Sequence, residues 1–286
     1  MITGYSNTIS VTTSAPSLLL DLYPNAAVAF SVRKLRTAYT GSSIRVRRSS
    51  DNAEQDIGFV SGYLDTTTLL SFCAGTSGYV TTWYDQSGNG NNAIQSTAAT
   101  QSRIVQGGVL ETLTGTGTAK ACINFTGSTW FNYTSSISIP DGTQYSAINV
   151  EQKSNLSVSL WSASNTGSPF TTLSYNDNYF YITGKVSTPL ATFKGILQDP
   201  TPTIYRILSG YSKDSTISAS IYSNNTLYTL TSGGNEANSN QFLYLGKRSP
   251  SEISNTKAQE HIIWLSNQEA NQTAINNNMN TYYGIY

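Results

Sequence analysis

Short runs rich in Val, Ile, Thr, Tyr and Phe recur along this chain, separated by clusters of Gly, Asn, Asp and Ser. That alternation of β-branched or aromatic runs with turn residues predicts many antiparallel strands. The runs fall at 43–48, 79–84, 121–125, 145–151, 157–162, 170–175, 179–183, 203–209, 216–222, 226–231, 241–246 and 260–264. Helical spacing is confined to three segments: 25–39, 65–72 with Asp65 as N-cap, and 267–283 with Asn267 as cap and Gly284 just past its end. A dozen strands with a few peripheral helices reads as a sandwich. No repeat, Pro-rich linker or break in composition divides it, so residues 21–286 are expected to form one domain, with 1–20 as an N-terminal arm or docking segment.

Between two of these runs lies Trp83-Tyr84-Asp85-Gln86-Ser87-Gly88-Asn89-Gly90-Asn91-Asn92, an aromatic strand end joined to a turn of small polar residues. Gly88 and Gly90 tolerate positive φ, and Asn and Asp side chains bond to the local backbone. Three readings stay open: a strand connection pinned by Asp85, a Ca²⁺ loop, or the lip of a sugar site. Trp83, Tyr84, Trp130, Tyr133 and Trp161 are candidate stacking platforms, and Asp85, Asn89 and Asn91 candidate polar ligands. Ca²⁺ is the one ion these oxygens suit. No other cofactor is expected.

Charge narrows the partners. Only 11% of the 286 residues are charged, 16 basic against 16 acidic, while 19 Tyr and abundant Ser, Thr and Asn supply a neutral, hydrogen-bonding surface. Nothing in that balance favours nucleic acid or an anionic membrane. The apolar runs are too short to cross a bilayer, and Met1-Ile2-Thr3-Gly4-Tyr5 lacks the basic start of a secretory leader. One local imbalance exists: Arg33, Lys34, Arg36, Arg45, Arg47 and Arg48. Asp51, Glu54 and Asp56 follow at once and are expected to neutralise it across a hairpin.

Catalytic chemistry is sparse. Cys73 and Cys122 are the only cysteines and His261 the only histidine, which leaves no metal-ligand spacing and no nucleophile elbow. Glycosidic hydrolysis needs two facing carboxyl groups. Glu151 and Glu260 lie on expected strands, and with Asp85 they are the nearest to such a pair.

The blocks Ala29–Leu35, Ile44–Asp51, Thr66–Cys73 and Trp83–Asn92 together resemble, in order and spacing, the first third of the catalytic domain of fungal α-L-arabinofuranosidase B. Gly246 and Glu260-His261-Ile262-Ile263-Trp264 before a polar helix are similar to the way laminin-G-like sandwiches close. The resemblance implies a concanavalin A-like two-sheet jelly roll. It also implies a disulfide at the loop of Cys73, whose partner position is occupied by Gly78-Tyr79, and a vicinal cysteine pair that this chain lacks. Neither catalytic carboxylate has a match: 171–182 holds only Asp177, and Leu245-Gly246-Lys247-Arg248-Ser249-Pro250 holds none. The same N-terminal block resembles laminin-G-like structural proteins of tailed phages. On that footing the chain is expected to be a non-enzymatic virion protein of head, tail or fibre, located at the virion surface. Its partners would be other virion subunits, in a homo-oligomer or assembled particle, and host-surface carbohydrate, with no catalytic residues. A glycoside hydrolase related to the arabinofuranosidases is the alternative.

Overall fold

The computed structural model describes residues 17–140, 143–153, 162–163, 173–176, 179–184, 191–195, 204–212, 219–229, 231–232, 241–249 and 252–286. In chain order the strands that build its two layers are β1 (Ala26–Ser31), β2 (Ile44–Arg48), β3 (Glu54–Ile57), β4 (Gly78–Trp83), β5 (Ala93–Ile94), β6 (Ser102–Gln106), β7 (Ile123–Thr126) and β8 (Phe131–Ser138). β9 (Ser146–Lys153), β10 (Tyr205–Ser212), β11 (Ala219–Ser223), β12 (Thr226–Thr229), β13 (Gln241–Leu245) and β14 (Asn255–Trp264) complete them. Hydrogen bonding runs β3-β2-β4 and on through β5 to β8 and β13, forming one layer. The other layer is β14-β9-β10-β11-β12, with β1 and β7 sharing the outer edge of β14. The two connect where β6 pairs with both β4 and β7.

The apolar residues explain this folding over. Val28, Phe30, Val46, Val80, Trp83, Ile104, Phe125, Phe131, Leu208 and Ile263, drawn from both layers, make one buried inner core. A second core lies on the outer face of the β14 layer. There Ala29, Ile148, Val150, Ile207, Ile262 and Trp264 are covered by the short helix α1 (Leu19–Leu22) and by α3 (Gln272–Tyr283). The β14 layer is buried on both faces, so its strands show no simple inside–outside alternation, and the polar residues they carry, Asn149, Glu151, Arg206, Glu260 and His261 among them, are buried too.

That double burial explains why helical spacing over 25–39 does not produce a helix. Ala26–Ser31 forms β1 instead, paired with β14 from Ala26↔Trp264 to Ser31↔Glu260. A run buried on both faces has no period-2 signature, and periodicity alone does not separate it from a helix. The other two helices form. α2 (Thr66–Phe72) starts at Asp65, whose carboxylate accepts the Thr68 N–H at 3.0 Å. The third helix starts later than expected: α3 begins at Gln272 with Asn271 at its N-cap, behind a 3₁₀ turn (Glu269–Asn271), and Asn267, ahead of that turn, accepts the Glu269 N–H rather than capping the helix. α3 buries Ile275, Met279 and Tyr283 along one stripe and ends at Gly284, φ 60°. The basic cluster is neutralised as expected at β2–β3: Arg45 bonds Glu54 and Asp56, and Arg48 bonds Asp51.

Candidate functional site

The loop after β4 is organised around one carboxylate. Asp85 Oδ1 accepts the backbone N–H groups of Ala29 and Ser87, while Oδ2 accepts the Ser87 hydroxyl and the Asn91 N–H. Asn92 returns the constraint by accepting the Asp85 N–H, and Asn89 donates both amide hydrogens to the carbonyls of Ala26 and Ala27. Gln86, wholly buried, accepts the Leu35 N–H and donates to the carbonyls of Ser31 and Arg33. The loop is therefore riveted to β1 and to the chain that follows it. Since all four Asp85 contacts come from donors, its oxygens are spent within the fold.

Beside this loop opens a cleft of about 660 Å³. Arg36, Ser87, Asn89 and Asn91 form one wall; Asp21 and Asn25 form another, and Ser136 and Ser138 a third. The Arg36 guanidinium reaches across to the Ser87 carbonyl.

A second polar group lies inside, between the layers. The Tyr133 hydroxyl is 3.3 Å from His261 Nε2, and His261 Nδ1 is 2.7 Å from Asn149 Oδ1. As Asn149 Oδ1 only accepts, Nδ1 carries the proton and Nε2 receives the tyrosine hydrogen. Asn149 Nδ2 then reaches Glu151 Oε2 at 3.5 Å, and Arg206 lies 3.5 Å from Oε1. Burial drives the His261 pKa down to about 3, so the ring stays neutral and serves as a fixed bridge.

Glu260 stands apart. Val150 opposes Glu260 across β9–β14, whereas Glu151 opposes Ala258, because a bulge intervenes. Gln259 and Glu260 consequently both face outward beneath α3. There Glu260 takes a bidentate bond from Arg33 (2.8 and 3.1 Å) and single bonds from the hydroxyls of Ser31 and Tyr283, both at 2.9 Å. Glu151 and Glu260, neighbours on paired strands, thus look to opposite sides of the sheet and do not make an acid–nucleophile pair.

The other sequence-derived site residues are dispersed. Trp83 is wholly buried against Phe30 in the inner core, and Tyr133 is nearly so, which leaves neither a ring face for a ligand. Tyr84 donates to Asp56 at 2.8 Å on the far side of the loop. Trp130 is half-buried with the Lys247 ammonium 4.0 Å over its ring. Trp161 lies outside the described residues. Asn89 and Asn91 alone reach the cleft. Among the described residues no His, Cys, Asp and Glu cluster could hold a metal ion. Nor do two described carboxylates meet in a cleft: Glu54 and Asp56, which share a strand face, clamp Arg45 on open surface. Sequence reasoning misses Asn149, whose only signal is strand spacing two residues before Glu151.

Against known proteins, the family model for the catalytic domain of α-L-arabinofuranosidase B matches residues 22–155. A probable α-L-arabinofuranosidase B of Aspergillus flavus is 43% identical over 74 residues, which is 25% of this chain and 15% of that protein. An α-L-arabinofuranosidase of Hypocrea jecorina is 41% identical over 73 residues, with the same coverage. The matching region is thus a small part of these relatives. A solved arabinofuranosidase complexed with arabinofuranosyl-α-1,2-xylobiose superposes with TM-score 0.65 at 14% identity, over 90% of this chain and 63% of that one. These matches are to enzymes, and none of them is to a phage protein. They overturn the expectation of a non-enzymatic virion component, and with it the virion-surface location. In sequence the N-terminal part of the chain is similar to the α-L-arabinofuranosidase B catalytic domain, and in fold the chain is like solved arabinofuranosidases.

Proposed function

We propose that this chain is a glycoside hydrolase of the α-L-arabinofuranosidase type, with a concanavalin A-like jelly-roll sandwich, releasing arabinofuranosyl groups from a polysaccharide or its fragments. The observation that carries the reading is the match to the catalytic-domain model over 22–155, a span that takes in the Asp85 loop and most of the inner core. Hydrolysis of this kind calls for an acid and a nucleophile or base about 5–10 Å apart. Glu151 is the described carboxylate that faces the inner side of the β14 layer, where it is wholly buried with Asn149 and Arg206 each 3.5 Å away, and neutral His261 holds that Asn149 in turn. Among the described residues no carboxylate faces Glu151; Asp141, Asp177, Asp199, Asp214, Glu236 and Glu252, whose side chains lie outside the described residues, are the positions to test for its counterpart. Asp85 and Glu260 are left to the fold, since every oxygen of each is committed.

The test is release of nitrophenolate from 4-nitrophenyl α-L-arabinofuranoside by the wild type and by amide variants of Glu151 and of those six residues. Activity in the wild type, with Glu151→Gln and one of the six each losing about a thousandfold or more, supports the reading. A wild type that releases nothing overturns it.

A further inference from the structure

We propose that the cleft beside the Asp85 loop is a binding subsite for an uncharged, hydroxyl-rich chain, a pentose oligosaccharide, held by side-chain amides and hydroxyls. The identity of the sugar rests on the hydrolase reading above; the existence of the subsite does not.

Three observations carry it. First, the walls are built before any ligand arrives. Asp85 ties Ala29, Ser87 and Asn91 together, Asn89 is bonded to both Ala26 and Ala27, and Arg36 is bonded to Ser87, so the wall costs little ordering on binding. Second, the polar lining exceeds what the fold consumes. Asn25, Ser136 and Ser138 are exposed and make no side-chain hydrogen bond with the described residues, and Asn25 holds φ 63° at the cleft edge. The two amide hydrogens of Asn89 are used inward, leaving its carbonyl oxygen, an acceptor, to the cleft. Amide donors, amide acceptors and hydroxyls together match the donor-and-acceptor character of a sugar hydroxyl. Third, charge selects against ions. One guanidinium, Arg36, and one carboxylate, Asp21, line the space, and Asp21 already accepts the Thr37 N–H and hydroxyl. A phosphate or sulfate ester would meet one cation and one anion, whereas a neutral polyol brings no charge to desolvate and its hydroxyls find amide and hydroxyl partners. Leu20, Ile137 and Leu265 supply apolar patches for sugar C–H faces. The volume suits a di- to trisaccharide.

Isothermal titration with arabinofuranosyl-α-1,2-xylobiose tests this on the intact chain. Ser136→Trp fills the cleft from an exposed position, and Asn25→Gly removes the amide while keeping the positive φ. Neither touches the inner polar group or the Asp85 bonds. The expected result is binding by the wild type, a Kd raised at least about tenfold by Ser136→Trp and about three- to fivefold by Asn25→Gly, with unchanged melting temperatures. No binding by the wild type overturns the proposal, as does undiminished binding by Ser136→Trp. Nitrophenolate release is read separately: cleft-dependent binding without it keeps the subsite and removes the hydrolase reading.

Discussion

Gly78 opens β4 directly beneath Cys73, and a Cβ built on it would lie 2.7 Å from the Cys73 sulfur. In a disulfide the sulfur stands about 3 Å from the partner Cβ, given an S–S bond of about 2.05 Å. Gly78→Cys should therefore let the introduced thiol close a disulfide with Cys73 without moving the backbone. The loop is short, about six residues, so the chain-entropy gain is about 2 kcal/mol. Val46 and Val105, at 3.1 and 3.3 Å from that Cβ, must yield slightly and trim the gain. A net stabilisation of about 1–2 kcal/mol corresponds to about 2–3 °C in melting temperature at this chain length. Gly78→Ala meets the same sulfur with no bond to form and should cost about 1–3 kcal/mol by overpacking. The assays are a thiol titration of the denatured protein and thermal melts with and without reductant. The wild type, with two cysteines, should titrate two thiols and the variant one, its extra stability vanishing in reductant. Three free thiols in Gly78→Cys, with a lowered melting temperature, would falsify the geometric argument.

Acid should weaken the fold through His261. Its folded pKa of about 3 lies below the unfolded value near 6.5, so between these the unfolded chain binds the extra proton and stability falls as pH falls. The loss is about 1.4 kcal/mol per pH unit, about 3 kcal/mol by about pH 4.5; urea titrations of His261→Gln should show a shallower slope, and parallel slopes would refute it. Arg33→Met strands the buried Glu260 carboxylate and should cost about 3–5 kcal/mol, while Arg33→Met combined with Glu260→Leu should recover most of it; strictly additive losses would count against the pairing. Cys122, buried and with its pKa raised to about 12, should resist thiol reagents until the chain unfolds. Rapid labelling of the native protein at Cys122 would contradict that. Gly115 stacks so closely on the turn after α3 that a Cβ there would overlap the Gly284 carbonyl; Gly115→Ala should open the end of α3 to limited proteolysis by an endoprotease, and unchanged resistance would sink the idea.

The strands at 44–48, 78–83 and 146–153 were readable to within about two residues because β-branched runs are bounded by Gly, Asn or Ser, whereas of the strand at 255–264 only 260–264 was read, since the polar stretch Asn255-Thr256-Lys257 hides its first half. The placement of Glu260 was not. Alternation counted from Ala258 puts Glu260 inward beside Glu151; the bulge turns Gln259 and Glu260 outward together. A bulge is a property of two paired strands, and one strand's sequence does not encode it. Trp83 and Tyr133 illustrate the same limit. An aromatic residue at a strand end suits a core or a binding face equally, and only the opposing layer decides. The Asp85 loop was legible in its turn chemistry, whereas the donor that anchors its carboxylate to β1, the Ala29 N–H, required the fold.

β14 has a further consequence. This strand near the C-terminal end holds β1, β7 and β9 in register, its partners reaching back to Ala26. During synthesis the N-terminal part of the domain would wait for its central strand, with apolar faces of β1 and β9 uncovered until residues 255–264 leave the ribosome. Such long-range pairing makes folding slow and late, and exposes the growing chain to aggregation. A chain cut before residue 255 should accumulate as an insoluble species rather than as a smaller domain.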